Sequence, residues 1–332
     1  MTEIIVRPLT ENDIPTADRI FRLAFGTVIG LHDPTMAASN QFFGDADPIR
    51  TRFRTDPPAA LAAEANGELV GSNFIAHWGS VGFFGPLSVH PDLWNKGVAK
   101  HLLKSTIEYF AKLGTRHIGL FTLANSPKHV GLYQRFGFWP HFLTAIMVKQ
   151  LVGHDENKTS LQWSKYSELR TAEDRRDCLN SCHSLTNLIY DGLDVQFEIK
   201  SVNTQNLGDT VLLWQNGNGN DHNLERRLIG LAVCHCGAGT EAGSGVCYIK
   251  FGAVLPGINT PIYFDNLLYA CETFAKAQHM SRLVAGVNTA RHEAYRKMIS
   301  LGFRTEFQGV VMDNPNEFAY NKPDIYLIDD WR

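Results

Sequence analysis

The sequence predicts a mixed α/β fold laid down twice in tandem, and two observations carry that expectation. Short apolar, strand-like runs alternate with stretches of helical period along the chain, the pattern of a sheet covered by helices. Landmarks of the first half also return in the second. Glu68-Leu-Val-Gly71 is echoed by Arg227-Leu-Ile-Gly230, Phe84-Gly85-Pro86 by Phe251-Gly252 ahead of a proline, and Phe136-Gly137-Phe138 by Leu301-Gly302-Phe303. Offsets of 159, 167 and 165 residues describe one duplicated module with small insertions. A length of 332 residues suits two domains of ordinary size. The expected boundaries are 1–150 for the first, 151–160 for a polar linker without periodicity, and 161–332 for the second.

Taken in order, Ile4 to Val6 read as an opening strand. Thr10 followed by Glu11 and Asp13 has the chemistry of a helix start, and Ile14, Ala17, Ile20, Phe21 and Phe25 share one face of a helix of about fifteen residues. Between Ala59 and Phe84 apolar runs flank Asn66-Gly67, whose two residues accept the positive φ that a tight hairpin needs. A third strand runs out through Leu87-Ser-Val-His90. Beyond it the spacing predicts a helix over 98–113, a strand over 117–123, a helix over 127–136 and a strand over 138–148.

A formal net charge of −3 with no clustered Lys and Arg excludes nucleic acid as a partner, since phosphate neutralisation requires such clusters. No apolar run reaches the roughly 18 to 20 residues that cross a bilayer, and the start, MTEIIVRPLTEND, lacks a signal pattern. A cytoplasmic protein with no membrane partner is expected. The six cysteines (Cys178, Cys182, Cys234, Cys236, Cys247, Cys271) all fall in the second half and include no C-x2-C pair. They are therefore expected as small buried side chains, without metal, and any thiol nucleophile is absent from the first domain.

The segment LSVHPDLWNKGVAKHLL, 87–103, delivers a strand end into a helix N-terminus. The first turn of a helix leaves backbone N–H groups without intrahelical partners, and the helix dipole adds positive potential there. Gly97 and Ala99 keep the approach open and Lys96 adds a cation, so the turn suits an anion such as a pyrophosphate. One strand and one helix further on lies Asn125-Ser-Pro-Lys-His-Val-Gly-Leu-Tyr133-Gln-Arg-Phe-Gly137-Phe138, where a parallel neighbouring strand would end beside the first.

With these residues the chain resembles the GNAT-type N-acetyltransferase superfamily over most of 3–150, as a tandem, two-domain member with a degenerate second domain. The family's cofactor loop reads Gln or Arg, two residues, Gly, one residue, Gly or Ala; here Trp94, Gly97 and Ala99 hold those places. Trp94 departs from the pattern. The resemblance implies that Leu87, Ser88 and Val89 bind the pantetheine arm of acetyl-CoA, and that Asn95, Lys96, Gly97, Val98, Ala99 and Lys100 bind its pyrophosphate. It further implies that Asn125 touches the arm and that Tyr133 is the catalytic acid facing the thioester sulfur. The implied reaction is direct attack of a primary amine on the thioester, with a small-molecule or peptide acceptor; the alternative is a noncatalytic acyl-CoA-binding sensor. Candidates for the general base are His77, Glu64, His90, the pair His32-Asp33 and a relayed water. The loop 26–56, with Phe42 and Phe43, is where an acceptor would be met.

The second half departs from this pattern. Pro256 and Pro261 stand where free N–H groups are wanted, no Gly-x-Ala follows, and Met298 aligns with Tyr133 while Tyr295 falls nearly a turn earlier. It reads as the same fold without a cofactor grip, shaping one wall of the acceptor pocket or stabilising the first domain. Arg291, His292 and Glu293 read as a solvated helix face. Asn216-Gly-Asn-Gly-Asn-Asp221 leads toward a strand at Leu228, so it reads as a loop and not a phosphate cradle.

Overall fold

The computed structural model describes residues 3–30, 43–152, 161–216 and 226–332. His32, Asp33 and Phe42, most of the expected linker, and Gly217 to Asp221 lie outside the described residues.

The first unit opens with β1 (Ile4–Pro8), a short 3-10 turn in which Thr10 and Asp13 form a capping box, and α1 (Ile14–Gly30). α2 (Pro48–Thr55) follows, capped by the Asp47 side chain. The hairpin of β2 (Ala60–Ala65) and β3 (Glu68–Trp78) turns at Asn66 and Gly67, both at positive φ, as their sequence requires. Then come β4 (Val81–Phe84), β5 (Ser88–Val89), α3 (Val98–Leu113), β6 (His117–Thr122), α4 (Pro127–Gln134) and β7 (Trp139–Gln150). α3 covers the sheet with Leu102, Leu103 and Phe110, each fully buried, and Thr106 Oγ1 accepts from Asn73 Nδ2 of β3 at 2.8 Å.

The second unit repeats the order except for β5: β8 (Gln162–Lys165), α5 (Ala172–Ile189), α6 (Gln196–Gln205), β9 (Gly208–Gln215), β10 (Arg227–Gly237), β11 (Gly243–Val254), α7 (Thr260–Ala277), β12 (Arg282–Asn288), α8 (His292–Ser300) and β13 (Arg304–Asn314). The start of α5 repeats the capping box with Thr171 and Asp174. β6 and β12, α4 and α8, and β7 and β13 each begin 165 residues apart, so these elements repeat without insertion.

The sheet order is β1-β2-β3-β4-β6-β13-β7-β12-β11-β10-β9-β8, with β5 paired off β3 and β14 (Leu327–Ile328) off β11. The two units exchange their last strands. β13 of the second lies antiparallel on β6 of the first, β7 of the first lies antiparallel on β12 of the second, and β7 and β13 pair with each other. The sequence repeat does not foretell this exchange, because a strand's apolar pattern does not say which unit's edge it completes. One large core follows from it: Trp78, Val81 and Phe83 of the first unit pack in the same cluster as Phe251, Leu283 and Trp331 of the second. Two smaller clusters, on opposite faces of the first unit's sheet, hold α3 with α4 and α1 with α2. Among the described residues no helix is long and apolar enough to cross a membrane.

Candidate functional site

β4 and β6 run parallel only from Val81, opposite His117, to Phe83, opposite Gly119. Beyond Phe83 the chain turns away, and β5 pairs with β3 instead, Ser88 opposite Ser72 and Val89 opposite Gly71. A V-shaped opening therefore separates residues 85–89 from the continuing end of β6. Ligands of open sheets gather where neighbouring strand ends part in this way.

α3 opens directly above that split. Gly97 is its N-cap at φ 90°, with no side chain to cap the helix and nothing within 4 Å of where a Cβ would stand. The position needs glycine for its backbone conformation, and it faces open space. The first helical bonds run from Lys100 N–H and His101 N–H to the Gly97 carbonyl, at 3.0 and 3.4 Å. The N–H groups of Gly97, Val98 and Ala99 have no acceptor among the described residues. Asn95 (φ 66°), Lys96 and Lys100 are exposed around them, and Val98 is buried in the core. Three successive N–H groups are thus left open at the helix mouth, beside two exposed lysines.

Trp94, the departure from the family pattern, has a structural use. Its indole Nε1 donates to the Val89 carbonyl at 2.8 Å, and Lys128 Nζ lies 4.6 Å from the ring centroid. The indole thus ties the helix mouth to β5 and sets a cation from α4 beside it.

Tyr133 on α4 is buried, with its ring 6.1 Å from Phe84 at the end of β4. Burial raises its phenol well above the ordinary tyrosine value, so the hydroxyl keeps its proton across the neutral range. Asn125 is exposed in the turn before Ser126, the N-cap of α4.

The described base candidates separate clearly. Glu64 is spent on Arg7, 3.0 Å away in a cluster with Asp13. The His90 ring accepts from Asp92 N–H at 3.4 Å as a local cap. His77, half-buried on β3, keeps a buried Nε2 without a partner among the described residues, and burial holds its pKa below the usual 6.5 against the opposing pull of Asp56. It lines a cleft with Arg52, Asp56 and Gly85 of the first unit and Phe197, Glu198 and Lys250 of the second.

In the second unit the equivalent helix mouth is closed. Thr260 N–H bonds to Gly257 O, Ile262 and Tyr263 N–H bond to Asn259 O, Pro261 has no N–H, and Thr260 Oγ1 donates to Gly257 O at 2.7 Å. Met298 is fully buried.

Arg291 corrects the expectation of a solvated face. It is 1% exposed, donates to the Leu327 carbonyl at 2.7 Å and is paired with Asp329, while His292 is exposed and Glu293 partly so. Arg291 thereby anchors the segment 327–332. Asp330 accepts from Tyr248 OH at 2.9 Å, and Trp331 lies on Gly119 and stacks with Phe83, 6.1 Å away and 6° from parallel. A Cβ at Gly119 would fall 1.9 Å from the Trp331 ring, so that glycine in β6 makes room for the indole.

Comparisons with known proteins bear on the first unit's sequence and on the fold of the whole chain. Residues 29–138 match the model of the acetyltransferase (GNAT) family. An acetyltransferase of Pectobacterium atrosepticum is 30% identical over 93 residues, 27% of this chain and 64% of that protein. One from Sodalis glossinidius is 26% identical over 108 residues, 32% of this chain and 76% of that protein. The chain thus spans somewhat under two thirds of the first relative's length. A Pyrococcus horikoshii protein assigned as an acetyltransferase shares the fold over 99% of this chain and 95% of its own, at TM-score 0.65 and 14% identity. A GCN5-related N-acetyltransferase from Sphaerobacter thermophilus does so over 94% and 95%, at 0.58 and 14%. The family match thus falls within the first unit, and the likeness of the whole chain to the solved structures is one of fold.

Proposed function

We propose that the protein transfers an acetyl group from acetyl-CoA to a primary amine by direct attack, with the first unit, 1–150, holding the cofactor. The observation that carries this reading is the unpaired N–H mouth of α3 standing over the β4/β6 split, with the Tyr133 phenol beside that split. In this reading the N–H groups of residues 95–100 take the pyrophosphate, and Leu87, Ser88 and Val89 pair with the pantetheine arm as an added strand. Asn125 touches the arm from the turn before α4.

The neutral amine nitrogen forms a bond to the thioester carbon, and the oxyanion is met by N–H groups at the splayed strand end. The carbon–sulfur bond then breaks, Tyr133 gives its proton to the departing thiolate, and the proton lost by the amine goes to His77 or a water. Holding amine and thioester together supplies much of the rate without a covalent enzyme intermediate. The second unit, 161–332, walls the acceptor side through Phe197, Glu198 and Lys250.

The test is calorimetric titration with acetyl-CoA, followed by a free-thiol assay across a panel of small amines and peptides. Saturable binding with CoA release from at least one amine is expected. Binding without release from any amine would make the protein an acyl-CoA sensor, and no binding would remove the reading.

A further inference from the structure

The Gly85 carbonyl, one residue beyond β4 and two before Leu87, is held by a side chain: it accepts from Nη1 of Arg52 on α2. Nη2 of the same guanidinium donates to Glu241 Oε2 at 2.8 Å and to the Arg332 carbonyl. Glu241, in the turn joining β10 and β11, accepts from Lys250 Nζ at 2.7 Å, and Lys250 also meets Glu198 Oε1 at 2.8 Å. These side chains are 4 to 9% exposed. Burial works against each charge, but the Arg52 and Lys250 cations hold the Glu241 carboxyl well below the usual carboxylate range, and Glu241 in turn keeps Arg52 charged. Buried ion pairs contribute little net stability compared with well-packed apolar groups, whereas a planar guanidinium fork fixes two partners in one geometry. Here the two partners are the catalytic strand's turn and the second unit.

We propose that Arg52 is a positioning residue for acyl transfer: by clamping the Gly85 carbonyl to Glu241, it fixes the splay that aims the N–H groups of residues 87–89 at the thioester oxygen. The cofactor-free second unit thereby acts on turnover through Glu241. This rests on the acetyl-transfer reading, so one arm of the test does not depend on turnover.

Full-length Arg52→Lys keeps the buried cation but loses the fork, and Glu241→Gln keeps an acceptor but loses the charge. Amide hydrogen exchange of Gly85 and His90, which bond to Phe74 O and Val70 O, is compared with wild type without any amine present. Exchange at these amides is expected to rise about tenfold or more in Arg52→Lys, with other strands unchanged; a tenfold change corresponds to about 1.4 kcal/mol. In turnover, kcat is expected to fall by about tenfold or more, with the KM for acetyl-CoA within about twofold, because the α3 mouth is untouched. A matching loss in Glu241→Gln, and a double variant no worse than either single one, would locate the effect in the clamp. Unchanged exchange at Gly85 and His90 in Arg52→Lys, or an unchanged kcat, overturns the proposal. Failure to find any acceptor for the wild type bears on acetyl transfer alone and leaves the exchange result standing.

Discussion

At the residue scale the proposed reaction turns on two groups with opposite environments. The buried Tyr133 phenol has a raised pKa and is poised to donate a proton; the half-buried His77 imidazole has a lowered one and is neutral, hence able to accept, at pH 7. Tyr133→Phe keeps the ring against Phe84 and removes only the hydroxyl, and with it the proton to be donated, so kcat is expected to drop about a hundredfold with acetyl-CoA affinity unchanged by calorimetry. If His77 receives the amine's proton, kcat/KM falls as pH drops through a value below 6.5, where the imidazole becomes charged. His77→Gln is expected to abolish that limb in a pH–rate series. Tyr133 stands out in the sequence only by its fixed place before Gly137-Phe138. His77 was one of several histidines with no distinguishing neighbour, and only the fold, which brings Asp56 and Gly85 beside it and commits His90 to a cap, separates it from the rest. Arg291 was misread for the same reason: its partner Asp329 is far along the chain, so a buried pair looked like surface charge.

At the element scale the decisive feature is the start of α3, and the sequence places it without error because turn chemistry is local. Gly97 at φ 90° and Val98 at the first helical position are fixed by neighbours within a few residues. Val98→Pro tests what the turn does. Proline is accepted in the first turn of a helix and keeps an apolar side chain, but it deletes one unpaired N–H. Affinity for coenzyme A is expected to weaken about tenfold, while far-ultraviolet circular dichroism is retained; unchanged affinity would place the pyrophosphate elsewhere. A second element-scale contact is Asp313 on β13, whose Oδ1 lies 2.8 Å from His117 Nε2 on β6, both fully buried. Asp313→Ala leaves that imidazole without its partner across the exchanged strand. Thermal unfolding should report a loss of about 1–3 kcal/mol, the range for an orphaned buried polar group. None of this pairing was legible, since the two residues stand 196 apart in sequence.

At the scale of the whole molecule the sequence landmarks and the strand order of the sheet carry different information. Landmarks at near-constant offset announce two copies of a module, yet they say nothing about which copy owns each edge of the sheet. The structure answers that β6 is completed by β13 and β12 by β7, so each unit's sheet depends on a strand from the other. A fragment ending at residue 152 would bare β6 along Ile118 to Thr122, where it now pairs with β13, and would leave β7 with neither of its neighbours. Exposed apolar strand edges pair with other chains, so the fragment is expected to aggregate or remain partly unfolded when made alone. Made together with 161–332, it should assemble with it and regain acetyl-CoA binding, because the exchanged strands supply both missing edges. Co-purification on a single affinity tag, followed by calorimetry, checks this. A monomeric 1–152 fragment with native circular dichroism and full affinity would show that the exchange is dispensable, and the second unit would then matter only through the Arg52 clamp and the acceptor wall.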